Sequence, residues 1–415
     1  MSVTVKDIDQ AALALKGVIE STPLQLNKRL SKKHNATVYI KREDLQEVRS
    51  FKIRGAYYKM SKLVANERSQ GVVCASAGNH SQGVAYACAA LKTHGVIFMP
   101  TVTPKQKVDK VAHFGGEFVT IKLVGNTFDE AYQASMAYAN VHNSIYVHPF
   151  DDDEVIAGQG TIGREIYEEL GQKADLILTC EGGGGLTAGI ASYIKVKSPQ
   201  TELIACEPEG AASLFESHIA HMPITLPSID TFVDGAAVKS VGKKPFEIMK
   251  ESVKDIIKVP EGQVATTMIE LYQNEGIIAE PAGALAIAGL ELVDPKLLVG
   301  KTIVCTLSGG NNDIMRYPEV IERSLIYQGL KHYFIVEFEQ KPGQLKKLLS
   351  QVLGADDDIV LFEYMKKNNK EKGPAFIGLQ LTRREDYAGL IDRFDASGLE
   401  YQIVNPHDMM YRYLV

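Results

Sequence analysis

The run Asp175-Leu176-Ile177-Leu178-Thr179-Cys180-Glu181-Gly182-Gly183-Gly184-Gly185-Leu186 joins an apolar strand to a helix through four consecutive glycines. Asp175 to Cys180 reads as a buried strand, and Leu186 to Ile194 as the helix that follows. Four glycines in a row cost conformational entropy on folding. They make sense where backbone must wrap closely around an anion at a helix N-terminus. The loop lacks the Gly-Lys-Ser/Thr ending of a Walker A motif and the spacing of a Gly-x-Gly-x-x-Gly fingerprint. A phosphate cup is the chemical reading, and a flexible turn is the plain one.

The same strand–loop–helix rhythm runs outward in both directions. Upstream, the strands are Thr37 to Ile40, Gly71 to Cys74, Val96 to Met99 and Phe118 to Ile121. Helical patterns cover Gln82 to Leu91, Pro104 to Phe114 and Thr127 to Tyr138. Residues 1–36 read as helices and turns. Downstream, Glu202 to Cys206 and Lys301 to Leu307 are strands, while Gly262 to Glu275 and Ala282 to Leu292 are helical. Short apolar strands separated by helices of ten or more residues indicate βαβ units and a mostly parallel α/β sheet. Two such blocks flank residue 150, which predicts two lobes with a cleft beyond the carboxyl ends of the strands. The pattern changes near residue 325. Strands at Tyr333–Phe338, Asp358–Met365, Phe376–Leu381 and Tyr401–Val404 alternate with helices at Gln344–Val352 and Arg384–Phe394, and a polar turn covers Lys366 to Gly373. That β-α-β-β-α-β order fits a ferredoxin-like module, with a linker at about residues 324–330.

Composition narrows the function classes. The 415 residues are 45% hydrophobic and 23% charged, with a net charge of -6. No dominant basic field is available for a nucleic-acid partner, and no apolar run reaches the length of a membrane span. The start, MSVTVKDIDQ, lacks the regions of a signal peptide, so a cytoplasmic location is expected. The five cysteines are scattered without Cys-x-x-Cys spacing, which suits buried thiols in a reducing compartment. The ten histidines show no ligand spacing, and no metal site is expected.

Five further stretches carry unusual residues. In Ser50-Phe51-Lys52-Ile53-Arg54-Gly55-Ala56 a lysine follows an aromatic at a helix start, where the macrodipole lowers its pKa and favours attack on carbonyls. An ordinary first-turn lysine is the plain alternative. Ser76-Ala77-Gly78-Asn79-His80 follows a strand and offers backbone amides to a carboxylate or phosphate, or is a capped turn. Ser308-Gly309-Gly310-Asn311-Asn312 could present a hydroxyl to a ring nitrogen, or is a turn. Glu280-Pro281-Ala282-Gly283-Ala284 reads as a first-turn glutamate matched to the helix dipole, and Asp151-Asp152-Asp153-Glu154 as another helix start.

Together these stretches resemble the fold-type II family of pyridoxal phosphate enzymes, in particular its biosynthetic threonine dehydratase (threonine ammonia-lyase) branch. Ala157-Gly158-Gln159-Gly160-Thr161 and Asp234-Gly235-Ala236-Ala237-Val238 are similar as well. The resemblance covers roughly residues 10–320 in order and spacing, and residues 330–415 resemble the family's ACT-like regulatory module, including Glu339-Gln340-Lys341-Pro342-Gly343-Gln344-Leu345. It implies a two-lobed, tryptophan synthase β-like catalytic domain over residues 1–325 and one ferredoxin-like ACT-like domain over 330–415.

The resemblance also implies roles. Lys52 would anchor pyridoxal 5'-phosphate and serve as general base, with Phe51 packing on the ring and Asn79 bonding the ring hydroxyl. Amides of Gly182, Gly183, Gly184, Gly185 and Leu186 would hold the phosphate, and Ser308 would face the ring nitrogen. Ser76, Ala77, Gly78, Asn79 and His80 would bind the substrate carboxylate. The implied reaction is β-elimination from L-threonine to 2-oxobutanoate and ammonia, the first step of isoleucine biosynthesis. L-serine is the secondary substrate, isoleucine and valine the effectors, and a homotetramer the assembly. One departure is informative. Related serine racemases carry a second serine, the base for the opposite face, immediately before Gly-Asn-His, where this chain has Ala77, so racemisation is disfavoured. The alternatives are an L-serine dehydratase and a non-catalytic amino-acid sensor.

Overall fold

The computed structural model describes residues 3–364, 370–405 and 408. The chain divides into two compact units, one of residues 1–261 with 271–312, the other of 262–270 with 313–415.

In the first unit, β1 (Leu24–Leu26) and β2 (Thr37–Arg42) precede the Lys52–Ser61 helix. There follow β3 (Val72–Ala75), β4 (Gly95–Met99), β5 (Val119–Leu123) and β6 (Ile145–Tyr146), with helices Asn79–Leu91, Lys105–Gly115 and Phe128–His142 between them. The Asp153–Leu170 helix leads into β7 (Leu176–Cys180), β8 (Glu202–Pro208), β9 (Asp255–Val259) and β10 (Thr302–Leu307). Strands β3 to β6 form a parallel sheet of order β5-β4-β3-β6. The larger sheet has order β1-β2-β10-β7-β8-β9, parallel except for β1.

The expected division at residue 150 is therefore corrected. Strands β1 and β2, from the amino-terminal stretch, belong to the sheet of the later block, because β2 pairs with β10 from Thr302↔Thr37 to Leu307↔Arg42. A pairing across so many residues leaves no local trace in the sequence. Strand β1 was also read as part of a helix-and-turn lead-in. All five cysteines are buried free thiols, in keeping with core packing.

The second unit holds β11 (Lys331–Glu339), β12 (Asp358–Tyr364), β13 (Lys372–Gln380) and β14 (Glu400–Val404) in an antiparallel sheet of order β12-β13-β11-β14. Helices Gln344–Gln351 and Asp386–Ser397 bury Leu348, Leu390 and Phe394 with Phe334, Val336, Phe338, Ile377 and Leu379 of the sheet. This is the ferredoxin-like order. The expected linker begins inside a helix, Tyr317–Tyr327, and the turn is confined to the residues around Gly329 (φ +70°). Part of the expected turn Lys366–Gly373, and Met365 of the expected second strand, lie outside the described residues.

The charged run Lys41-Arg42-Glu43-Asp44, at the end of β2, is largely buried. Lys41, Glu43 and Arg54 are fully buried. The Arg54 guanidinium donates to both oxygens of Glu43, at 2.8 and 2.7 Å, and to both of Glu165, at 2.5 and 2.9 Å. It also reaches Thr161 Oγ1 at 3.0 Å. Lys41 Nζ sits 2.7 Å from Glu165 and donates to Thr22 O at 2.6 Å. The cluster ties β2, the Lys52–Ser61 helix and the Asp153–Leu170 helix to one another. Removing one partner of a buried ion pair strands the other charge, at a cost of about 3–5 kcal/mol. Arg54→Met is expected to lower unfolding free energy by about that much in urea titrations; a loss below about 1 kcal/mol would show that the cluster contributes nothing net.

Candidate active site

The loops singled out in the sequence converge in the first unit, and those at Ser76, Gly182 and Ser308 each follow the carboxyl end of a parallel strand, β3, β7 and β10. Lys52 is the first residue of its helix, as expected. Its Nζ donates to Pro149 O at 2.9 Å and lies 5.2 Å from the centroid of the Phe51 ring. Phe51 itself is packed among Ile162, Leu186 and Val304. The amine's pKa is lowered to about 8, chiefly by burial, with partial recovery from Cys180, Glu181 and Glu280 nearby. The helix dipole expected from the sequence is not the main cause of this lowering; desolvation is.

The segment before Lys52 is stitched to the loop after β10. Phe51 N donates to Ser308 O at 3.1 Å, and Ser50 pairs with Gly309. Ser308 is buried and its hydroxyl donates to Ala282 O at 3.0 Å. Asn311, from the same loop, donates to Asn79 Oδ1 at 2.8 Å, and Asn79 Nδ2 donates to Glu280 Oε1 at 2.6 Å. The sequence alone makes Glu280 a first-turn glutamate serving its own helix, and the structure corrects this. Glu280 is the N-cap residue of Pro281–Leu290, yet its side chain makes no cap bond and is spent on Asn79. Burial and the neighbouring Asp234 raise its pKa to about 7. No local signal separates the two roles of such a glutamate, because the partner lies two hundred residues away.

The glycine loop after β7 threads between large neighbours. A Cβ on Gly183 would lie 2.2 Å from the Phe150 ring, and one on Gly182 2.6 Å from Ala236 O. Gly184 has φ +95°, and its Cβ would meet Pro245 at 2.4 Å. The first bond of the Gly185–Lys197 helix runs from Ala188 N to Gly184 O at 2.9 Å. The amides of Gly183, Gly184, Gly185 and Leu186 stand ahead of it, without intrahelical partners. A cradle that only glycine fits, lined with amides at a helix N-terminus, suits the phosphate of pyridoxal phosphate.

The Ser76–His80 loop has the same construction after β3. Gly78 N donates to Ser76 Oγ at 3.2 Å, and Ser81 Oγ and Gln82 N both donate to Gly78 O, at 2.6 and 3.4 Å. That leaves the amides of Ala77, Asn79 and His80 for an anion. The His80 ring is engaged with Val147 O at 2.8 Å. Burial and the adjacent Lys52 lower its pKa to about 3, so the imidazole is neutral. Asp152 caps the Asp153–Leu170 helix by accepting from Glu154 N and Val155 N, as the acidic run implied. Among the described residues no cluster of His, Cys, Asp and Glu could hold a metal ion.

The family model described as "Pyridoxal-phosphate dependent enzyme" matches residues 15–309, and "C-terminal regulatory domain of Threonine dehydratase" matches residues 322–414. The biosynthetic L-threonine dehydratase IlvA of Halalkalibacterium halodurans is 50% identical over 413 residues, covering 100% of this chain and 99% of its own. The chain belongs to the biosynthetic threonine dehydratases, within the pyridoxal-phosphate-dependent enzyme family. The Bacillus subtilis relative of the same name is 49% identical, covering 100% of this chain and 98% of that one. Among solved structures, the processed form of threonine deaminase isoform 2 from Solanum lycopersicum is 37% identical with a TM-score of 0.71, covering 78% of this chain and 96% of that one. Maize serine racemase has 26% identity and a TM-score of 0.72, covering 79% and 99%. The chain is thus a pyridoxal-phosphate-dependent lyase with the fold-type II architecture and a carboxy-terminal regulatory domain. No helix among the described residues is long and apolar enough to cross a membrane.

A partly buried amine with a pKa near 8 has a checkable consequence. In the chain freed of cofactor, modification of Lys52 by a soluble amine reagent, followed by mass spectrometry, is expected to rise with pH through about 8. A midpoint near 10.5, the ordinary lysine value, would contradict the desolvated setting.

Proposed function

We propose that this chain converts L-threonine to 2-oxobutanoate and ammonia, the first step of isoleucine biosynthesis, under feedback control by isoleucine. Residues 1–325 form the catalytic domain in this reading and residues 330–415 the ACT-like regulatory domain. The observation that carries it is the company Lys52 keeps: a partly buried amine of lowered pKa, grouped with two amide-lined helix starts and the Asn79–Glu280 pair. Relatives named for threonine dehydration match the chain from end to end.

Pyridoxal phosphate, when bound, supplies the electron-withdrawing ring system that acidifies the α-carbon of an amino acid joined to it. The protein's part is position and proton transfer. The amides of Gly182, Gly183, Gly184, Gly185 and Leu186 would hold the phosphate, Asn79 the ring hydroxyl and Ser308 the ring nitrogen. Phe51 packs behind the Lys52 amine, which carries the cofactor at rest. The amides of the Ser76–His80 loop take the substrate carboxylate. Once the substrate's amine has displaced it from the cofactor, Lys52 would accept the α-proton on Nζ as general base, a role that its lowered pKa suits near neutral pH. Ala77 has no proton to exchange on the opposite face, so proton removal is one-sided and leads to loss of the β-hydroxyl rather than racemisation. This separates the chain's reading from that of its serine racemase neighbour in structure. L-Serine lacks only the methyl group, which discriminates by about 1–3 kcal/mol, so serine is the slower second substrate.

Lys52→Ala is expected to abolish both the yellow colour of the purified protein and ammonia release from threonine; continued formation of 2-oxobutanoate would overturn the mechanism. Deleting residues 330–415 is expected to preserve turnover and remove the response to isoleucine. An unchanged inhibition curve in the shortened chain would rule out the regulatory assignment.

A further inference from the structure

Directly beneath the glycine loop sits a charged residue for which neither the fold nor the mechanism above has a use. Glu181 links β7 to Gly182 and is fully buried, with both carboxyl oxygens lacking a hydrogen bond of good geometry. Its carboxyl group lies beside the Gly182 amide and Thr187, in the first turn of the Gly185–Lys197 helix. It is held there by Glu181 N donating to Cys206 O at 2.8 Å. The register Cys180↔Cys206 sets it next to Glu207 of β8, a second fully buried acid. Glu207 is accounted for, since it accepts from Leu214 N at 2.7 Å and Phe215 N at 2.8 Å. Glu181 is not.

A buried carboxylate with no well-formed hydrogen bond is costly, and such a group tends to neutralise instead. The amide-rich start of the neighbouring helix favours one negative charge. It does not favour a carboxylate and a phosphate dianion together. We propose that Glu181 is the proton-holding group of the phosphate seat: when phosphate occupies the glycine loop, Glu181 takes one proton from solvent and is neutral beneath it. The inference rests on the reading of that loop as the phosphate cup.

The groups that face Glu181 are consistent with it. Burial raises its pKa to about 7, tempered by Thr187, the Gly182 amide and the Lys52 amine. Glu207 from β8 is raised to about 8, by burial first and then by Glu181 beside it. Cys180, the preceding residue, is a neutral thiol, its pKa raised to about 12 by burial. At pH 8 the empty seat therefore carries a largely ionised Glu181. A phosphate that is already dianionic there drives proton uptake by linkage.

The test is isothermal calorimetry at pH 8 on the full-length chain freed of cofactor, in two buffers of different ionisation enthalpy. Pyridoxal 5'-phosphate is titrated first, then pyridoxal. Both ligands consume the Lys52 amine, so their difference isolates the phosphate. The expected result is uptake of about one more proton with the phosphate ester, with its affinity advantage falling about tenfold per pH unit as pH rises from about 7. Glu181→Gln is expected to keep the preference for the phosphate ester and lose both the extra proton and the pH dependence. Equal affinity for the two ligands would overturn the phosphate cup and this inference together. A retained phosphate preference without extra uptake in the unmodified chain overturns the inference alone, as does uptake that survives in E181Q. The unmodified chain decides the matter even if E181Q does not fold.

Discussion

The pairing of Arg54 with Glu43 and Glu165 is the constraint on which the site depends. Arg54 lies two residues after Lys52, in the first turn of the same helix. Its guanidinium fixes that turn against the end of β2 on one side and the Asp153–Leu170 helix on the other. Burial alone would raise the pKa of Glu43, yet Arg54 and Lys41 hold it below the usual carboxylate value. Such a cluster is weak evidence for stability, because desolvation opposes the attraction. What it fixes is geometry, since a guanidinium with two forked partners has little freedom of orientation. A shift of the first turn would move Lys52 Nζ away from Pro149 O and break the contact of Phe51 N with Ser308 O.

Topology then brings the remaining groups to that lysine. Strands β3, β7 and β10 point their carboxyl ends toward one cleft in the first unit, and the loops after them supply the Asn79 loop, the glycine loop and Ser308. This is where ligands bind in open α/β sheets. Asn311 and Glu280 grip Asn79 from both sides of its amide. Close backbone contact does the rest. A Cβ on Gly283 would fall 2.0 Å from Gly309 O, so only glycine lets the Pro281–Leu290 helix approach the Ser308 loop.

The sequence was most legible where the determinants are local. A strand followed by a glycine run and a helix start is written in a dozen residues, and the alternation of β11 to β14 with their helices is equally direct. What could not be read depends on distant partners. Strand β2 belongs beside β10, which no periodicity near residue 40 reveals. The run Lys41-Arg42-Glu43-Asp44 has the composition of a solvated face, and half of it is instead entombed with Arg54. Glu280 satisfies a local rule for helix starts and is employed elsewhere. In each case a local preference was overridden by a contact far along the chain.

Electrostatic balance links these features to the chemistry. Three acids, Glu181 and Glu280 near Lys52 and Glu207 beside Glu181, are all buried, and burial raises their pKa values to about 7, 7 and 8. Were they all ionised, their combined field would repel both a phosphate and a substrate carboxylate, and would hold the proton on Lys52. Where they hold their protons, they leave the amides of two helix starts as the dominant features around a bound anion. The same low-polarity surroundings that neutralise the acids also depress the amine. Burial thus prepares the anion seats and the base at once.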